Sequence, residues 1–378
     1  LRAPLARLAP LPVVAAPVPE ILEDGAAFEA MFAAIDAAES SILLQFYIVR
    51  DDRVGRALAD RLSARAREGV SVKFLYDEVG ARNAPRRYWA ALAEAGVEVR
   101  AFAVRRRWPK VTRVNFRNHR KAVVADGRIA IIGGPNIGDE YLGRDPAFGP
   151  WRDTAIRLTG AAASAVAASV VEDWLWAGGA VPPAPPSLDP AETPVRRAPT
   201  LILPTGPADP DSACTLAMLH LIASARRRLW IASPYFAPDL DVMTALKLAA
   251  LRGVDVRVLI PHRPDHLVVW LAAFAYAGEA RRAGVRLFRY EAGFMHQKAL
   301  VVDDRAAAIG TVNLDSRSLR LNFEMTAVTF DRGYTEAAAA MLERDFARSR
   351  PHDAAAGDAR RRRVRLLAPA ARLLGPLL

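Results

Sequence analysis

Two segments of the sequence, FMHQKALVVDDRAAAIGTVN (residues 294–313) and NHRKAVVADGRIAIIGGPN (residues 118–136), are copies of one pattern. His, Lys, Asp, Gly and Asn occupy relative positions 0, 2, 7, 14 and 17 in both copies. The matching residues are His119, Lys121, Asp126, Gly133 and Asn136, and His296, Lys298, Asp303, Gly310 and Asn313. The chain has six histidines and five lysines among 378 residues, so the recurrence of this pair indicates an internal duplication with a chemical role.

The sequence around each copy repeats the same order of predicted elements. In the first half, residues 41–49 (SILLQFYIV) predict a buried strand, residues 55–68 an amphipathic helix capped by Gly69, and residues 70–76 a second strand. The second half repeats this order with residues 228–236, 240–253 and 254–261. Strands that alternate with helices favour parallel pairing, so each half is predicted to be an α/β/α sandwich.

The length and a proline-rich stretch predict two domains. One hydrophobic core rarely grows beyond ~250 residues, and residues 176–200 are rich in proline and lack an apolar period. The amino-terminal stretch carries too many prolines for a helix and is predicted to lie extended over the surface. The predicted organisation is an extended segment (1–19), a first domain (20–176), a linker (177–199), a second domain (200–350) and a basic and apolar tail (351–378).

The charge balance limits the classes of partner. Lys and Arg number 52 against 41 Asp and Glu, which gives a net charge of +11. This excess favours polyanionic partners, and an anionic membrane surface fits as well as nucleic acid. The single Cys214 cannot form an internal disulfide, so the fold does not depend on oxidation. The longest apolar run, residues 267–278, is shorter than the ~20 residues of a membrane-spanning helix, and we interpret it as a buried helix.

The spacing within each copy brings three kinds of functional side chain to one end of a predicted hairpin. His and Lys are two residues apart and share one face of a strand, whereas Arg120 and Gln297 point to the other face. Lysine supplies charge, asparagine supplies a directed donor, and histidine supplies a nucleophile or a proton carrier, which together suit an oxyanion. Neither strand nor helix periodicity requires these residue types, so the pattern favours a functional interpretation over a structural one.

Both segments resemble the HxKxxxxD motif of the phospholipase D superfamily, continued by its Gly-x-x-Asn extension. The resemblance covers residues 42–346. More narrowly, FYIVRDD (46–52), SPYFAPD (233–239) and GTVNLDSRSLRLNFE (310–324) are similar to phrases of bacterial cardiolipin synthases. The first copy departs from the pattern at Gly134 and Pro135, where many relatives have Ser or Thr and then a residue other than proline. The donors near the phosphate are therefore expected to differ between the halves.

The resemblance implies two phospholipase D-like domains, related by a pseudo-twofold axis, with the active site between them. One histidine would attack a phosphodiester to give a phosphohistidine, and the other would protonate the leaving alcohol and then deprotonate the acceptor. It assigns His119 as the nucleophile and His296 as the acid and base. The phosphoryl charge would be stabilised by lysine and asparagine side chains, namely Lys121, Lys298, Asn136 and Asn313. No metal ion and no cofactor is therefore expected.

A carboxylate follows each motif at a place where superfamily members carry an acid. A histidine attacks through one ring nitrogen when an acceptor holds the other one. Asp153 in WRDTAIRL lies 34 residues after His119, and Glu324 in LNFEMTAV lies 28 residues after His296. These two carboxylates are predicted to orient the histidines.

The aspartates of the motif, Asp126 and Asp303, complete the superfamily pattern and count among the catalytic candidates. Each is followed by a second turn residue, Gly127 or Asp304. Turn chemistry favours a structural role for them, in which the carboxylate ties the turn of its hairpin.

Segments outside the motifs suggest contact with lipid. RRRWPK (105–110) is either a solvated loop or an interfacial contact with Trp108 at the membrane surface. The tail RRRRVRLLAPAARLLGPLL (360–378) is interrupted by prolines, so a short interfacial element and a disordered tail are the alternatives. His262 and His266 in PHRPDH lack a partner cluster and are interpreted as loop residues rather than metal ligands.

The function that the resemblance implies is transfer of a phosphatidyl group, joining two phosphatidylglycerols to give cardiolipin and glycerol. A phospholipase D that passes the same intermediate to water, and a phosphodiesterase that cleaves nucleic acid, remain alternatives. Nucleic acid is disfavoured because no aromatic and basic groove is evident. A noncatalytic membrane module is disfavoured because both motif copies are intact. The expected location is peripheral, on the cytoplasmic side of the bacterial inner membrane, with phospholipid as substrate.

Overall fold

Each half of the chain builds one mixed β-sheet. The computed structural model describes residues 1–102, 116–182, 196–209, 211–265 and 267–352. The strands of the first half are β1 (Val14–Pro17), β2 (Glu20–Glu23), β3 (Ser41–Phe46), β4 (Ser71–Asp77), β5 (Glu98–Phe102), β6 (Arg117–Asn118), β7 (Ala122–Ala125), β8 (Ile129–Gly133), β9 (Trp151–Arg152) and β10 (Thr154–Thr159). Its helices are α1 (Arg2–Leu8), α2 (Ala26–Asp36), α3 (Arg53–Arg67), α4 (Arg86–Glu94) and α5 (Ala161–Trp176), with a short 3-10 helix at Asp139–Leu142.

The second half repeats this series of elements. Its strands are β11 (Arg197–Thr205), β12 (Arg228–Ala232), β13 (Phe236–Ala237), β14 (Asp255–Pro261), β15 (Arg286–Tyr290), β16 (Phe294–Met295), β17 (Ala299–Val302), β18 (Ala306–Gly310), β19 (Leu314–Asp315), β20 (Asn322–Thr329) and β21 (Ser349–Pro351). Its helices are α6 (Ala213–Ser224), α7 (Leu240–Leu251), α8 (Leu267–Arg282), α9 (Ser316–Arg320) and α10 (Arg332–Ala347).

The two sheets share one strand arrangement. The first runs β2-β10-β8-β7-β3-β4-β5, and the second runs β1-β11-β20-β18-β17-β12-β14-β15-β21. In each sheet the strands that alternate with helices pair in parallel: β3, β4 and β5 in the first, and β12, β14 and β15 in the second. Each motif forms an antiparallel hairpin beside the first of these strands, β7–β8 or β17–β18. The predicted duplicated α/β architecture is confirmed.

Local signals in the sequence account for the helices that follow the parallel strands. Asp52 caps α3 by accepting a hydrogen bond from the Gly55 amide at 2.9 Å, and Asp239 caps α7 through the Val242 amide at 2.9 Å. Gly69 follows the end of α3 with φ of +92°, a conformation that costs glycine little. The cap predicted at Gly69 is therefore confirmed.

The prediction for the amino-terminal segment is wrong. Residues 2–8 form α1, and Pro4 is tolerated because it lies in the first turn, where a helix needs no amide donor. Leu5 is fully buried in the same apolar cluster as Leu221 of α6. Strand β1 then pairs antiparallel with β11, so this segment adds a strand to the second sheet rather than lying over the surface.

A shared apolar cluster joins the two halves. It contains Val166 of α5 and Leu43 of β3 from the first half, together with Ile202 of β11 and Leu342 of α10 from the second. Two further clusters lie against the opposite faces of the sheets, each within one half apart from Leu5 and Phe294. The motif hairpins of both halves border the shared cluster, so its packing fixes their relative position.

Candidate active site

The motif histidines lie at the carboxyl ends of the parallel strands. In the first half, β7 pairs antiparallel with β3, so that Ala122 opposes Gln45 and His119 comes at the end of β3. In the second half, Ala299 opposes Ala232, so His296 comes at the end of β12. Function in α/β sheets commonly resides at this edge, where loops follow the strands.

Two short parallel strand pairs cross between the halves. Strand β6, just before His119, pairs with the start of β20, and the His119 amide donates to the Phe323 carbonyl at 2.9 Å. Strand β16, just before His296, pairs with β9, and the His296 amide donates to the Arg152 carbonyl at 2.8 Å. Glu324 is the residue after Phe323, so it lies beside His119. Asp153 is the residue after Arg152, so it lies beside His296.

The histidine–carboxylate pairs are consequently exchanged between the halves. His119 Nδ1 lies 2.9 Å from Glu324 Oε2, and His296 Nδ1 lies 2.7 Å from Asp153 Oδ2. Both carboxylates are fully buried. With Nδ1–H donating to a carboxylate, the Nε2 nitrogen of each ring carries the lone pair that can attack or accept a proton. The structure thus places a carboxylate on each motif histidine, but the acid comes from the opposite repeat.

Further donors hold each carboxylate, and these were not predicted. Asp153 accepts hydrogen bonds from Trp151 Nε1 at 3.2 Å and from the Thr154 amide at 2.9 Å. Glu324 accepts from Thr311 Oγ1 at 2.5 Å and from Asn322 Nδ2 at 3.2 Å. Trp151 and Asn322 each lie two residues before the acid that they contact. Residues two apart on a strand share one face, so this spacing could have predicted the contacts.

The departure at Gly134 has a steric cause. A side chain at that position would place its first carbon 1.9 Å from Asp153 Oδ1. Its counterpart Thr311 instead donates its hydroxyl to Glu324. The two copies therefore differ in the side chain that donates a hydrogen bond to the carboxylate. The Trp151 indole donates to Asp153, and the Thr311 hydroxyl donates to Glu324.

Burial keeps both histidines neutral at neutral pH. Burial lowers the pKa of His119 to about 4, because the attraction of Glu324 does not offset desolvation and the charge of Lys121. Burial, together with the charge of Lys298, lowers the pKa of His296 to about 4. Burial alone would raise the pKa of Asp153 and of Glu324, but the charges and hydrogen bonds around them hold both below their ordinary values.

The two lysines are buried beside these pairs. Lys121 Nζ donates to the His119 carbonyl at 2.6 Å, and Lys298 Nζ donates to the His296 carbonyl at 2.5 Å. Burial lowers the pKa of Lys298 to about 8 and sets the pKa of Lys121 well below its ordinary value. Each lysine also acts on the histidine of the other half, which indicates a single electrostatic site.

The asparagines of the two copies differ in their hydrogen bonds. Asn136 accepts from the Ile48 amide at 3.1 Å and donates to Tyr141 Oη at 3.1 Å. Asn313 is 3 % exposed, and its Oδ1 has no hydrogen-bond partner within the part of the chain that the structure describes. A buried amide oxygen without a partner is costly, so this atom needs an explanation that the hydrogen bonds of the fold do not supply.

The motif aspartates lie in the hairpin turns. Asp126 has φ of +53° and accepts hydrogen bonds from the amides of residues 39, 40 and 41, at the start of β3. Asp303 also has φ of +53° and accepts from the amides of residues 226, 227 and 228, at the start of β12. Both carboxylates are placed to tie the hairpin to its neighbouring strand, which agrees with the expected structural role.

Two buried ion pairs support the strands that carry the catalytic residues, and the sequence did not indicate them. Arg120 donates to Asp173 of α5 at 2.7 Å and, across the domain interface, to the carbonyl of Glu324 at 2.9 Å. Arg152 makes a bidentate contact with Asp345 of α10, with both distances 2.9 Å. These arginines therefore connect the crossed strands to the helices of both halves.

Aromatic rings border the histidines. The Tyr47 ring centre lies 5.2 Å from that of His119 and 5.5 Å from Lys121 Nζ. The Trp151 ring centre lies 5.3 Å from that of His296. Each ring thus places apolar surface beside a histidine, and electrostatic interactions are stronger where such surface displaces water.

Three predicted features fall on segments that the structure does not describe. RRRWPK at 105–110, His266 and the tail at 360–378 lie outside the described residues. In the described parts of the chain, no group of three or more His, Cys, Asp or Glu side chains is arranged to hold a metal ion. The expectation that the reaction needs no metal stays a prediction. Cys214 is buried in α6, as expected for a small core residue.

The pH profile of a substrate that needs no protonated leaving group tests these pKa values. A nitrophenyl phosphodiester depends on a neutral attacking histidine and a charged lysine. Its kcat/KM should fall below about pH 4, where the attacking ring becomes protonated, and should fall again on the alkaline side as the buried lysines lose their protons, Lys298 with a pKa of about 8 and Lys121 with a pKa well below its ordinary value. Initial rates measured across this range check both limbs. An acid limb near the ordinary histidine pKa of about 6.5 would contradict a buried, neutral nucleophile.

The chain is similar to known proteins in both sequence and fold. The family model described as "Cardiolipin synthase, PLD-like domain" matches residues 31–145 and 218–349. The chain is 48% identical over 373 residues to cardiolipin synthase A of Pseudomonas putida, covering 98% of this chain and 77% of that protein. It is 47% identical over 377 residues to cardiolipin synthase A of Pseudomonas aeruginosa, covering 99% and 76%.

The fold is also similar to a solved structure, that of phosphatidylserine synthase from Haemophilus influenzae. The TM-score is 0.72 at 17% sequence identity, and the alignment covers 98% of both chains. At this identity the likeness concerns the fold, which extends over both halves and not over one repeat alone.

Proposed function

Because the chain belongs to the cardiolipin synthase family with phospholipase D-like domains, we propose that it joins two phosphatidylglycerols to give cardiolipin and glycerol. It is an enzyme of the phosphatidyltransferase and phospholipase D type. The observation that carries the proposal is the pair of exchanged histidine–carboxylate contacts, His119 with Glu324 and His296 with Asp153. A double displacement at phosphorus requires one oriented neutral imidazole as the nucleophile and a second oriented imidazole that carries the proton.

In the first step, Nε2 of His119 attacks the phosphorus of one phosphatidylglycerol. The N–P bond forms as the bond between phosphorus and the glycerol oxygen breaks, and His296 gives its proton to that oxygen. Although the free enzyme holds His296 neutral, the bound phosphodiester adds negative charge beside it, which raises its pKa and favours uptake of this proton. The same charge favours the protonated forms of Lys121 and Lys298.

In the second step, the glycerol headgroup of another phosphatidylglycerol enters. His296 removes the proton from its primary hydroxyl, the resulting oxygen attacks phosphorus, and the N–P bond to His119 breaks. Cardiolipin leaves, and both histidines return to their starting protonation. The lysines and the asparagine amides stabilise the charge on the phosphoryl oxygens in both steps.

We propose that the reaction takes place at the cytoplasmic surface of the bacterial inner membrane. The net charge of +11 favours an anionic surface. No helix in the described residues is long and apolar enough to cross a bilayer. RRRWPK at 105–110 and the tail at 360–378 remain candidates for additional membrane contacts.

Product analysis tests the proposed reaction. The enzyme is incubated with phosphatidylglycerol vesicles, with or without ethanolamine, and the products are identified by mass spectrometry. We expect cardiolipin and glycerol in equal amounts, and none from His119→Ala. Phosphatidic acid as the only lipid product would indicate transfer to water instead, and cleavage of DNA without any lipid product would indicate the nucleic acid alternative.

A further inference from the structure

The starts of four helices surround the active site. In each half, two parallel strands end at the edge that carries the motif histidine, and a helix begins a few residues after each strand. These helices are α3 and α4 in the first half, and α7 and α8 in the second. The crossed strand pairs join the two edges, so all four helix starts lie around one site.

In the first half these helix starts carry exposed arginines. Arg53 begins α3, and Arg86 and Arg87 begin α4, with all three side chains exposed. Neither helix has an acidic residue in its first turn. A cation at the amino terminus of a helix opposes the helix dipole, at a cost of about 0.3–1 kcal/mol. Arg87 is paired with Asp51 at 3.3 Å. Helix stability does not explain Arg53 and Arg86, whereas a partner with negative charge would.

At the matching positions of the second half the helix starts carry exposed apolar side chains. Leu240 begins α7 and is 75% exposed, whereas Leu267 and Val268 begin α8 and are 60% and 40% exposed. The neighbouring Asp241 is paired with Arg320 at 2.9 Å, so its charge is offset. We call these six side chains the helix-start rim: Arg53, Arg86, Arg87, Leu240, Leu267 and Val268.

We propose that the helix-start rim docks the enzyme on an anionic phospholipid bilayer, with the arginines at the lipid phosphates and the leucines among the acyl chains. The rim combines the two interactions that hold a peripheral protein on such a membrane, which are charge attraction and burial of apolar surface. A bilayer facing the rim would also face the mouth of the catalytic site. The inference rests on the proposed function, because a lipid substrate must enter from the bilayer.

The chain offers a matched control for the leucines. Leu248 and Leu251 are 53% and 71% exposed near the carboxyl end of α7. At 1.5 Å per residue, Leu251 lies about 16 Å along the helix from Leu240, away from the site. Arg67 provides the same control for the arginines, because it is exposed at the far end of α3.

Flotation with vesicles tests the rim. The double variant Leu240→Ser/Leu267→Ser should bind vesicles of phosphatidylglycerol and phosphatidylcholine about tenfold more weakly or worse, since each leucine loses apolar contact with lipid. Leu248→Ser/Leu251→Ser should bind as the parent does. Arg53→Gln should weaken binding to anionic vesicles at low salt, and Arg67→Gln, which removes the same charge, should bind close to the parent.

A site-specific label supplies a second measurement that other membrane contacts cannot obscure. Cys214 is the single cysteine and is buried, so a cysteine introduced at the surface can be labelled selectively. An environment-sensitive fluorophore on Leu240→Cys should shift to shorter wavelength when anionic vesicles are added. The same fluorophore on Leu251→Cys should not shift.

Hydrolysis of a soluble nitrophenyl phosphodiester separates the rim from the catalytic site. The rim variants should retain this activity and lose only membrane binding and turnover of vesicle lipid.

No shift from the label on Leu240→Cys would overturn the proposal, even if cardiolipin is still formed. A rim variant that turns a dimer into a monomer while the label stays silent would show that a second copy of the chain covers this face. Failure to form cardiolipin while the label shifts would refute the proposed reaction and leave the docking face intact.

Discussion

His119→Ala should form no phosphoenzyme, whereas His296→Ala should still form one with a nitrophenyl phosphodiester. A nitrophenolate leaves without a proton, so the first step then needs only the nucleophile. With phosphatidylglycerol, loss of the acid and base in His296→Ala should lower the rate by about 10² to 10⁴-fold. Acid-quenched trapping of labelled substrate, followed by peptide mapping, locates the phosphoryl group.

The outcomes of this experiment are distinct. Label on His296 in His119→Ala would reverse the two roles. No label on either histidine, while the parent enzyme turns over rapidly, would argue against a covalent intermediate. Both rings are buried, so thermal unfolding of each variant must show that the fold survives the substitution.

Asp153→Asn and Glu324→Gln should impair different steps, because each acid serves the histidine of the other repeat. Glu324 holds His119, so Glu324→Gln should slow formation of the phosphoenzyme although the two residues are 205 positions apart. Asp153 holds His296, so Asp153→Asn should leave formation with the nitrophenyl substrate intact and slow transfer to the acceptor. Loss of the charge that stabilises an imidazolium should cost about 10² to 10⁴-fold in the affected step.

Rapid-quench measurement of phosphoenzyme formation and decay separates the two effects. Slow formation in Asp153→Asn together with normal formation in Glu324→Gln would contradict the exchanged pairing, provided that the label maps to His119. A double variant gives a further check. If each carboxylate serves a separate step, the slower step alone should set the turnover rate of the double variant. The two reductions in rate should then not multiply.

Much of the fold could be predicted because its signals are local. The apolar run at 41–49 and the helical period at 55–68 lie within single elements, and β3 and α3 formed there with boundaries shifted by a few residues. The amino-terminal helix was missed for a nonlocal reason. Its stability comes from Leu5, which is buried against α6 of the second half, and no local pattern shows that contact.

The catalytic residue types could be predicted, but their pairing could not. The repeat singled out the histidines, and the resemblance supplied the two acids. Which acid serves which histidine depends on β6, β9 and β16, and these strands are two residues long. Strands that short carry no periodic signal, and their partners are distant in the chain. Gly134 was recognised as a departure, whereas its cause, the proximity of Asp153, requires coordinates.

The exchanged pairs also bear on how the protein acquires activity as it folds. The contacts of His296 with Asp153 and of His119 with Glu324 close loops of 143 and 205 residues, which are among the slowest contacts for a chain to form. A ribosome must therefore release most of the second half before either pair can form. A fragment that contains one repeat could be fully folded and still lack a complete pair, so catalysis begins only when the two halves dock.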